Sequence, residues 1–83
     1  MSTLNEIQSI ICELLAKELH RDPMTFDRDM SFHDLGLDSV NSLFLLGELE
    51  EQLKLDIDPL ALYDNPTISS FSSFIYEIQH ESR

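Results

Sequence analysis

Long apolar runs, bases and cysteines are scarce in this sequence, and each shortage argues against a class of protein. No apolar run is long enough to cross a membrane, and no segment has the pattern of a signal peptide. The single cysteine, Cys12, cannot form an internal disulfide, so nothing indicates an oxidising compartment and we expect a cytoplasmic protein. Because no base or second cysteine is near it in the sequence, Cys12 is interpreted as a partly buried helix residue rather than a reactive thiol.

Basic residues are the scarcest charged group. Five lysines and arginines stand against sixteen aspartates and glutamates, which gives a formal net charge of −11. This charge repels the phosphates of nucleic acid and the anionic surface of a membrane, so we exclude both as partners and expect basic protein surfaces instead. The 83 residues are 42% hydrophobic and 25% charged, which is typical of one folded domain, 1–83.

Helical periodicity is the main pattern that the sequence does contain. Thr3 and Glu6 have the spacing of a capping box, which predicts the start of a first long helix. Its apolar stripe consists of Leu4, Ile7, Ile10, Ile11, Leu14, Leu15 and Leu19. A second long helix is predicted from Ser39 to Leu53, and its core-facing residues are Leu45, Leu46, Leu49 and Leu53. Thr67 is the predicted cap of the last helix, with Asn65 followed by Pro66 as the alternative start.

Shorter elements are predicted in the connections. Between His20 and Asp38 the periodicity stops, but several apolar side chains are expected to pin this loop to the helices: Met24, Phe26, Met30, Phe32, Leu35 and Leu37. Within the loop, Ser31 is predicted to cap a helical turn. Asp58 followed by Pro59 predicts a short helix through Tyr63. We therefore predict an all-α fold, a small four-helix bundle of three longer helices and one short helix.

The stretch Leu35-Gly36-Leu37-Asp38-Ser39-Val40 joins a glycine-containing turn to the second long helix. Serine is a favoured N-cap, so Ser39 is predicted to begin this helix. Its hydroxyl would lie at the positive end of the helix dipole, beside unpaired backbone N–H groups, and this environment tolerates an attached phosphate. Gly36 supplies the backbone freedom of the turn. Asp38 offers a carboxylate to a metal ion or a basic partner.

This stretch resembles the attachment motif of acyl carrier proteins, Leu-Gly-x-Asp-Ser-Leu, with Val40 in place of the last leucine. The segment Tyr63-Asp64-Asn65-Pro66-Thr67-Ile68 likewise resembles the Asn-Pro-Thr or Tyr-Pro-Thr segment of polyketide and peptide synthase carriers. The resemblance implies that a phosphopantetheinyl transferase uses coenzyme A to attach 4′-phosphopantetheine to Ser39. The thiol of this arm would hold acyl groups as thioesters for an acyl-loading enzyme, a ketosynthase or another acyl-transferring enzyme. We expect a monomer that performs no catalysis itself.

The outward face of the second long helix is, by the same resemblance, the surface that partner enzymes contact. The predicted partner face consists of Val40, Leu43, Phe44, Gly47, Glu48, Glu50 and Glu51. The resemblance assigns recognition largely to the acids, but Phe44 stands where many similar carriers have an acid. Two interpretations of Phe44 remain open: it anchors a dedicated partner, or it packs under the neighbouring loop.

The cargo of such a carrier has alternatives. Peptidyl carriers usually have a second glycine and often a histidine before the serine, whereas this chain has Leu37 and Asp38, which favours acyl cargo of polyketide or specialised fatty acid type. A peptidyl carrier, or an acidic helical adaptor that is never modified, is the alternative. Candidates for lining a cargo space are Leu46, Leu49, Ile57 and Leu62, although a packed core fits them equally. The lack of spare length at either end favours a free-standing carrier, but an excised domain would look the same.

Metal binding and catalysis are not indicated by the spacing of the polar residues. Asp27, Asp29 and Ser31 are spaced like the start of an EF-hand loop, but Phe32 and Asp38 stand where that loop needs glycine and glutamate. The three histidines have no metal-ligand spacing. No Cys/His or Ser/His/acid set is recognisable, so we predict no enzyme activity and no metal site.

Overall fold

The computed structural model describes residues 3–81, and within this range the chain forms five α-helices and one 3₁₀ helix. In order these are α1 (Leu4–Leu19), the 3₁₀ helix (Pro23–Thr25), α2 (Phe32–Leu35), α3 (Ser39–Leu53), α4 (Ala61–Asp64) and α5 (Ile68–Glu81). The described range contains no β-strand, only an isolated antiparallel bridge between Ser31 and Thr67. None of the helices described is long and apolar enough to span a membrane.

The capping box predicted at the start of α1 is confirmed. The Glu6 backbone N–H donates to the Thr3 hydroxyl at 3.1 Å, and the Thr3 backbone N–H donates to a Glu6 carboxylate oxygen at 2.9 Å. These hydrogen bonds lower the pKa of the Glu6 carboxyl. The predicted apolar stripe lies against the core, where Ile7, Ile11 and Leu15 are fully buried, except for Leu4, which is 38% exposed at the first residue of the helix. Burial of this kind stabilises by roughly 1.5–3 kcal/mol for each side chain.

The three long helices share one core, which confirms the predicted helical bundle. On α3, Leu45, Leu46 and Leu49 are buried, and its bounds are those expected from the periodicity. On α5, the fully buried apolar residues are Ile68, Phe71 and Ile75. The cap predicted for α5 is confirmed because the Ser70 backbone N–H donates to the Thr67 hydroxyl at 3.0 Å. The structure adds a second short helix, α2, to the one short helix of the predicted bundle.

The connection between α1 and α3 is held by a few specific contacts. Ser31 caps α2, as predicted, by accepting from the Asp34 backbone N–H at 3.0 Å. Phe32 on α2 meets Phe71 on α5 edge to face, with ring centroids 5.8 Å apart. Of the apolar residues expected to pin this segment, Phe26, Phe32, Leu35 and Leu37 are buried. The expectation is wrong for Met24 and Met30, which are 89% and 39% exposed.

The segment between α3 and α4 departs from the sequence prediction. Asp58 and Pro59 were expected to open the short helix, but α4 begins at Ala61. The Asp58 carboxylate instead accepts from the Leu60 backbone N–H at 2.9 Å, and the Asp58 carbonyl accepts from the Ala61 N–H at 2.9 Å. Asp58 therefore stabilises a single turn that precedes the helix. This turn places Leu62 and Tyr63 of α4 near the start of α3.

Candidate attachment site and its surroundings

The turn before α3 is shaped by Gly36, which ends α2 in a left-handed conformation with φ of 105°. Its backbone N–H donates to the His33 carbonyl at 3.0 Å, and the N–H of the next residue, Leu37, donates to the Phe32 carbonyl at 3.0 Å. An added Cβ at Gly36 would meet a side-chain atom of Leu19 only at 4.0 Å. The positive φ, and not a lack of space, is therefore what favours glycine here.

Asp38, and not Ser39, is the N-cap of α3. Its carboxylate accepts from the Asn41 backbone N–H at 2.8 Å, and its carbonyl accepts from the Ser42 N–H at 2.9 Å and from the Ser42 hydroxyl at 2.7 Å. The prediction that Ser39 caps the helix is therefore wrong by one residue. Aspartate is as good an N-cap as serine, and the extended backbone of Asp38 suits the position. Ser39 becomes the first helical residue, and its side chain is exposed and free of the capping role.

The environment of the Ser39 hydroxyl suits an anionic substituent. The backbone N–H groups of Ser39 and Val40 belong to the first turn of the 15-residue α3, where no preceding helical carbonyl is available to them. The positive end of the helix dipole lies at the same place. Asp38 contributes one negative charge beside it, but only one of its carboxylate oxygens is engaged with the helix.

A groove of about 570 Å³ opens beside Ser39, between α2, α3 and the turn that leads into α4. Its lining residues are Ser31, Phe32, His33, Leu37, Asp38, Ser39, Ser42, Leu43, Leu46, Pro59, Leu62, Tyr63 and Pro66. Of the four residues considered for a cargo space, Leu46 and Leu62 belong to this lining. Leu49 and Ile57 are not part of the lining and are buried in the core. The groove is mostly apolar, with polar side chains near Ser39.

The outward face of α3 is apolar at the end that carries Ser39. Val40, Leu43 and Phe44 are 62%, 59% and 60% exposed. Phe44 is therefore largely exposed to solvent and does not pack under the neighbouring loop. This rules out the second interpretation of Phe44 given above. Gly47, Glu48 and Glu51, which lie farther along the helix, are also exposed.

The model of the phosphopantetheine attachment site family matches residues 9–75, which include the whole of α2, α3 and α4. The chain belongs to this family. It is a carrier domain with phosphopantetheine attachment, and carrier proteins of this kind work with synthase enzymes and are modified by phosphopantetheinyl transferases. The predicted resemblance to acyl carrier proteins is thereby confirmed.

Individual relatives agree with the family match. The carrier domain is 31% identical over 77 residues to a conidial pigment polyketide synthase of Pestalotiopsis fici, a match that covers 93% of this chain and 4% of the synthase. It therefore spans only a small part of the curated relatives that it matches. A free-standing peptidyl carrier protein of Acinetobacter baumannii is 36% identical with a TM-score of 0.86, over 92% of this chain and 95% of that one. An Anabaena acyl carrier protein with a variant phosphopantetheinylation-site sequence is 31% identical with a TM-score of 0.86, over 93% and 88% of the two chains.

Glu50 of the carrier domain has a structural contact that the sequence did not reveal. Its carboxylate accepts from the Ile57 backbone N–H at 2.8 Å, and the side chain is half-buried. The residue was expected on the partner face, but this bond ties the chain after α3 to the helix. No local pattern indicates a contact between residues seven apart across a loop. A Glu–x₆–Ile spacing has no recognised meaning in a sequence.

The exposure of two large side chains in and just before α4 was also missed by sequence reasoning. Leu60 and Tyr63 are 63% and 80% exposed. The Tyr63 backbone N–H donates to the Leu60 carbonyl at 3.0 Å, so the two residues belong to one turn. Tyr63 and Leu43 both line the groove. The only available signal was two large apolar side chains three residues apart in a helix too short to bury both.

The remaining candidate groups lie apart from this site. Cys12 is buried in the core, and burial raises the pKa of its thiol. The prediction that Cys12 is partly buried therefore underestimates its burial. His80 contacts Tyr76 with ring centroids 4.0 Å apart and ring planes inclined at 43°, while His33 lines the groove. Among residues 3–81, no group of three or more His, Cys, Asp or Glu side chains could hold a metal ion.

Proposed function

We propose that Ser39 carries the phosphopantetheine arm of this carrier domain and that residues 1–83 form one such domain. The observation that carries the proposal is the position of the Ser39 hydroxyl. It is exposed at the first residue of α3, it is free of the capping role that Asp38 performs, and it faces the groove. Residues 1, 2, 82 and 83 lie outside the part of the chain that the structure describes.

The surroundings of Ser39 fit the group that this family attaches. A phosphodiester on the hydroxyl lies at the N-terminus of α3, where backbone N–H groups and the helix dipole favour negative charge. Gly36 and Asp38 have positioning roles, because one shapes the turn and the other fixes the helix start. When bound, the phosphopantetheine supplies a terminal thiol that forms thioesters.

The attachment step uses the Ser39 hydroxyl as the accepting group. The Ser39 Oγ atom forms a bond to the phosphorus that bears the pantetheine in coenzyme A. The phosphoanhydride bond breaks, 3′,5′-ADP leaves, and the hydroxyl proton passes to a base of the transferase. No base of the carrier domain is assigned to this step, so we propose that the chain is a substrate and not an enzyme.

We propose acyl cargo of polyketide or specialised fatty acid type. Leu37 and Asp38 before the serine favour this assignment, and relatives within polyketide synthases support it. Peptidyl cargo is the second candidate, because the Acinetobacter relative is named a peptidyl carrier. Incubating the modified protein with a malonyl-transferring enzyme, or with an amino-acid-activating enzyme, distinguishes the two by the mass that is gained.

The proposed partners are a phosphopantetheinyl transferase, an acyl-loading enzyme and a ketosynthase or other acyl-transferring enzyme. We propose that they contact the exposed part of the partner face, which consists of Val40, Leu43, Phe44, Gly47, Glu48 and Glu51. Glu50 supports this face through its bond to Ile57. A monomer in the cytoplasm completes the proposal, supported by the charge of −11 and the single cysteine.

The test is the intact mass of the protein after incubation with coenzyme A and a broad-specificity phosphopantetheinyl transferase. We expect a gain of one phosphopantetheine, and no gain for Ser39→Ala under the same conditions. The Ala variant is a matched control because the cap of α3 is made by Asp38 and the fold should be unchanged. A folded, unaltered protein that gains no mass would favour the unmodified acidic adaptor instead.

A further inference from the structure

The start of α3, which carries Ser39, is not anchored by burial of its own side chains. Residues 39–44 are exposed or half-buried, and the first buried residue of α3 is Leu45. Leu45 lies about 9 Å along the helix axis from Ser39. The position of the Ser39 hydroxyl therefore depends on the turn that precedes the helix, where the buried side chain of Leu37 holds the chain against the core.

The peptide group that opens this turn, between Leu35 and Gly36, is held at both of its polar atoms. Its N–H belongs to Gly36 and donates to the His33 carbonyl at 3.0 Å. Its carbonyl oxygen belongs to Leu35 and accepts from Nη1 of the Arg21 guanidinium at 3.1 Å. The first bond is local to α2, whereas the second joins the turn to the chain that leaves α1. The Arg21 bond therefore fixes the turn relative to α1.

Arg21 is itself held in a defined position after the end of α1. Its backbone N–H donates to the Ala16 carbonyl at 3.2 Å, which fixes the main chain where the helix ends. Its guanidinium carbon lies 5.0 Å from the centroid of the Phe26 ring, and this ring is buried. A guanidinium over an aromatic face still donates through the N–H groups at its edge. The side chain is therefore preorganised for its bond to the Leu35 carbonyl.

We infer that Arg21 is a positioning residue for the modification of Ser39, because its bond to the Leu35 carbonyl opposes rotation of the peptide group between Leu35 and Gly36. Such a rotation changes ψ of the residue before the peptide and φ of the residue after it, and glycine accepts φ of either sign. Gly36 therefore permits the turn but does not lock it in one orientation. Rotation of this peptide has to break a hydrogen bond from a charged donor, which is stronger than one from a neutral donor. The inference rests on the proposed attachment at Ser39.

Removal of the Arg21 side chain should loosen the turn without unfolding the domain. The start of α2 keeps its tie to the segment before α5, because the Phe32 backbone N–H donates to the Pro66 carbonyl at 2.8 Å. The side chains of Phe32 and Leu35 are buried in the core and hold α2 there. A transferase that binds Ser39 in one geometry binds only the fraction of molecules with that geometry, so its apparent affinity falls by the same fraction. KM for the carrier domain should then rise, while kcat at saturation stays the same.

The test compares Arg21→Ala with Arg21→Lys and Arg28→Ala as substrates for a broad-specificity transferase, at saturating coenzyme A and varied carrier concentration. Arg28 is the matched control, because it belongs to the same connection and its Nη1 donates to the Gln8 Oε1 atom on α1 at 2.6 Å. Gln8 is about 16 Å along α1 from Leu19, the residue whose side chain neighbours Gly36. Amide hydrogen exchange of each variant is measured separately, without transferase.

We expect Arg21→Ala to raise KM about fivefold or more, with kcat within about twofold of the unaltered protein. Exchange at the Gly36 and Leu37 N–H groups should accelerate by a similar factor. Arg21→Lys keeps a charged donor but loses the planar guanidinium, so its KM should lie between the other two values. Arg28→Ala should leave KM within about twofold and the exchange of these two N–H groups unchanged, because its own bond is remote from the turn.

The inference is wrong if Arg21→Ala reacts with the KM of the unaltered protein, or if Arg28→Ala raises KM as much. A raised KM for Arg21→Ala with unchanged exchange at Gly36 and Leu37 would mean that the transferase contacts Arg21 directly, and this also overturns the positioning role. Failure of the unaltered protein to gain mass would instead overturn the proposed function. The exchange rates need no transferase and would still show whether Arg21 holds the turn, so the two failures are distinguishable.

Discussion

The Asp38 cap is the interaction on which the geometry of the attachment site depends. Replacing Asp38 with alanine removes the acceptor for the Asn41 backbone N–H, now bonded at 2.8 Å, and leaves the first turn of α3 held by backbone contacts alone. Replacing it with asparagine keeps an oxygen in the same place but removes the charge. The pair of variants therefore separates the hydrogen bond from the electrostatic contribution.

The expected magnitude follows from measured helix caps. Loss of an N-cap side chain costs about 1 kcal/mol, within a range of roughly 0.5–2 kcal/mol. For a domain of 83 residues, 1 kcal/mol corresponds to a fall in Tm of about 4–8 °C. We expect Asp38→Ala to show this fall in a thermal unfolding scan. Asp38→Asn should lose about 2 °C or less, because asparagine caps nearly as well as aspartate.

The mass-gain assay with coenzyme A and transferase tests the same two variants for function. Asp38→Asn preserves the helix start, so a slower mass gain at Ser39 in this variant would indicate that the second carboxylate oxygen meets the enzyme. Thr3→Ala is the matched control, since it removes an N-cap of similar strength from α1 without touching the site. A Tm for Asp38→Ala within about 1 °C of the unaltered protein would refute the assignment of the cap. A Tm for Asp38→Asn as low as that of the Ala variant would show that charge, not the hydrogen bond, stabilises the helix start.

Three further predictions concern the surroundings of the site. Gly36→Ala places a side chain at φ of 105° and should cost about 1–3 kcal/mol in denaturant unfolding; an unchanged midpoint would contradict the role given to this turn. Glu50→Ala leaves the Ile57 N–H without its acceptor and should cost about 1–3 kcal/mol in thermal unfolding, whereas Glu50→Gln retains an acceptor and should cost less. Burial raises the pKa of the Cys12 thiol, so little reactive thiolate exists near pH 8 and a thiol reagent should label the unmodified protein slowly. The modified protein should be labelled rapidly at one thiol, that of the arm proposed on Ser39. Fast labelling of the unmodified protein would contradict this prediction.

Local signals in the sequence predicted most of the helices. The capping pairs at Thr3 and Thr67 act within three residues, so their meaning does not depend on the rest of the chain. The same holds for Ser31 and α2. The core face of α3 followed from the spacing of its leucines, because only one side of a helix can face the bundle. The proposed attachment serine, Ser39, was identified through its resemblance to the family motif, whose residues are consecutive.

Interactions between distant segments were not predictable in this way. The bond from Glu50 to the Ile57 N–H crosses a loop, and its existence depends on the path of that loop. The choice of Asp38 over Ser39 as the cap was also missed, because both residues are favoured N-caps and only the turn at Gly36 decides which one has extended backbone. The exposure of Phe44 was left open for a related reason. Periodicity places it away from the core, but it does not say whether a neighbouring segment covers it.

Exposed apolar side chains and the acidic net charge have opposing effects on association between copies of this domain. Five exposed apolar side chains on α3 and in and before α4 would ordinarily promote association: Val40, Leu43, Phe44, Leu60 and Tyr63. The net charge of −11 opposes this, since repulsion acts between any two copies in any orientation. It follows that association through these side chains should appear as the pH approaches the isoelectric point of about 4.3, where the repulsion is lost while the apolar surface stays the same.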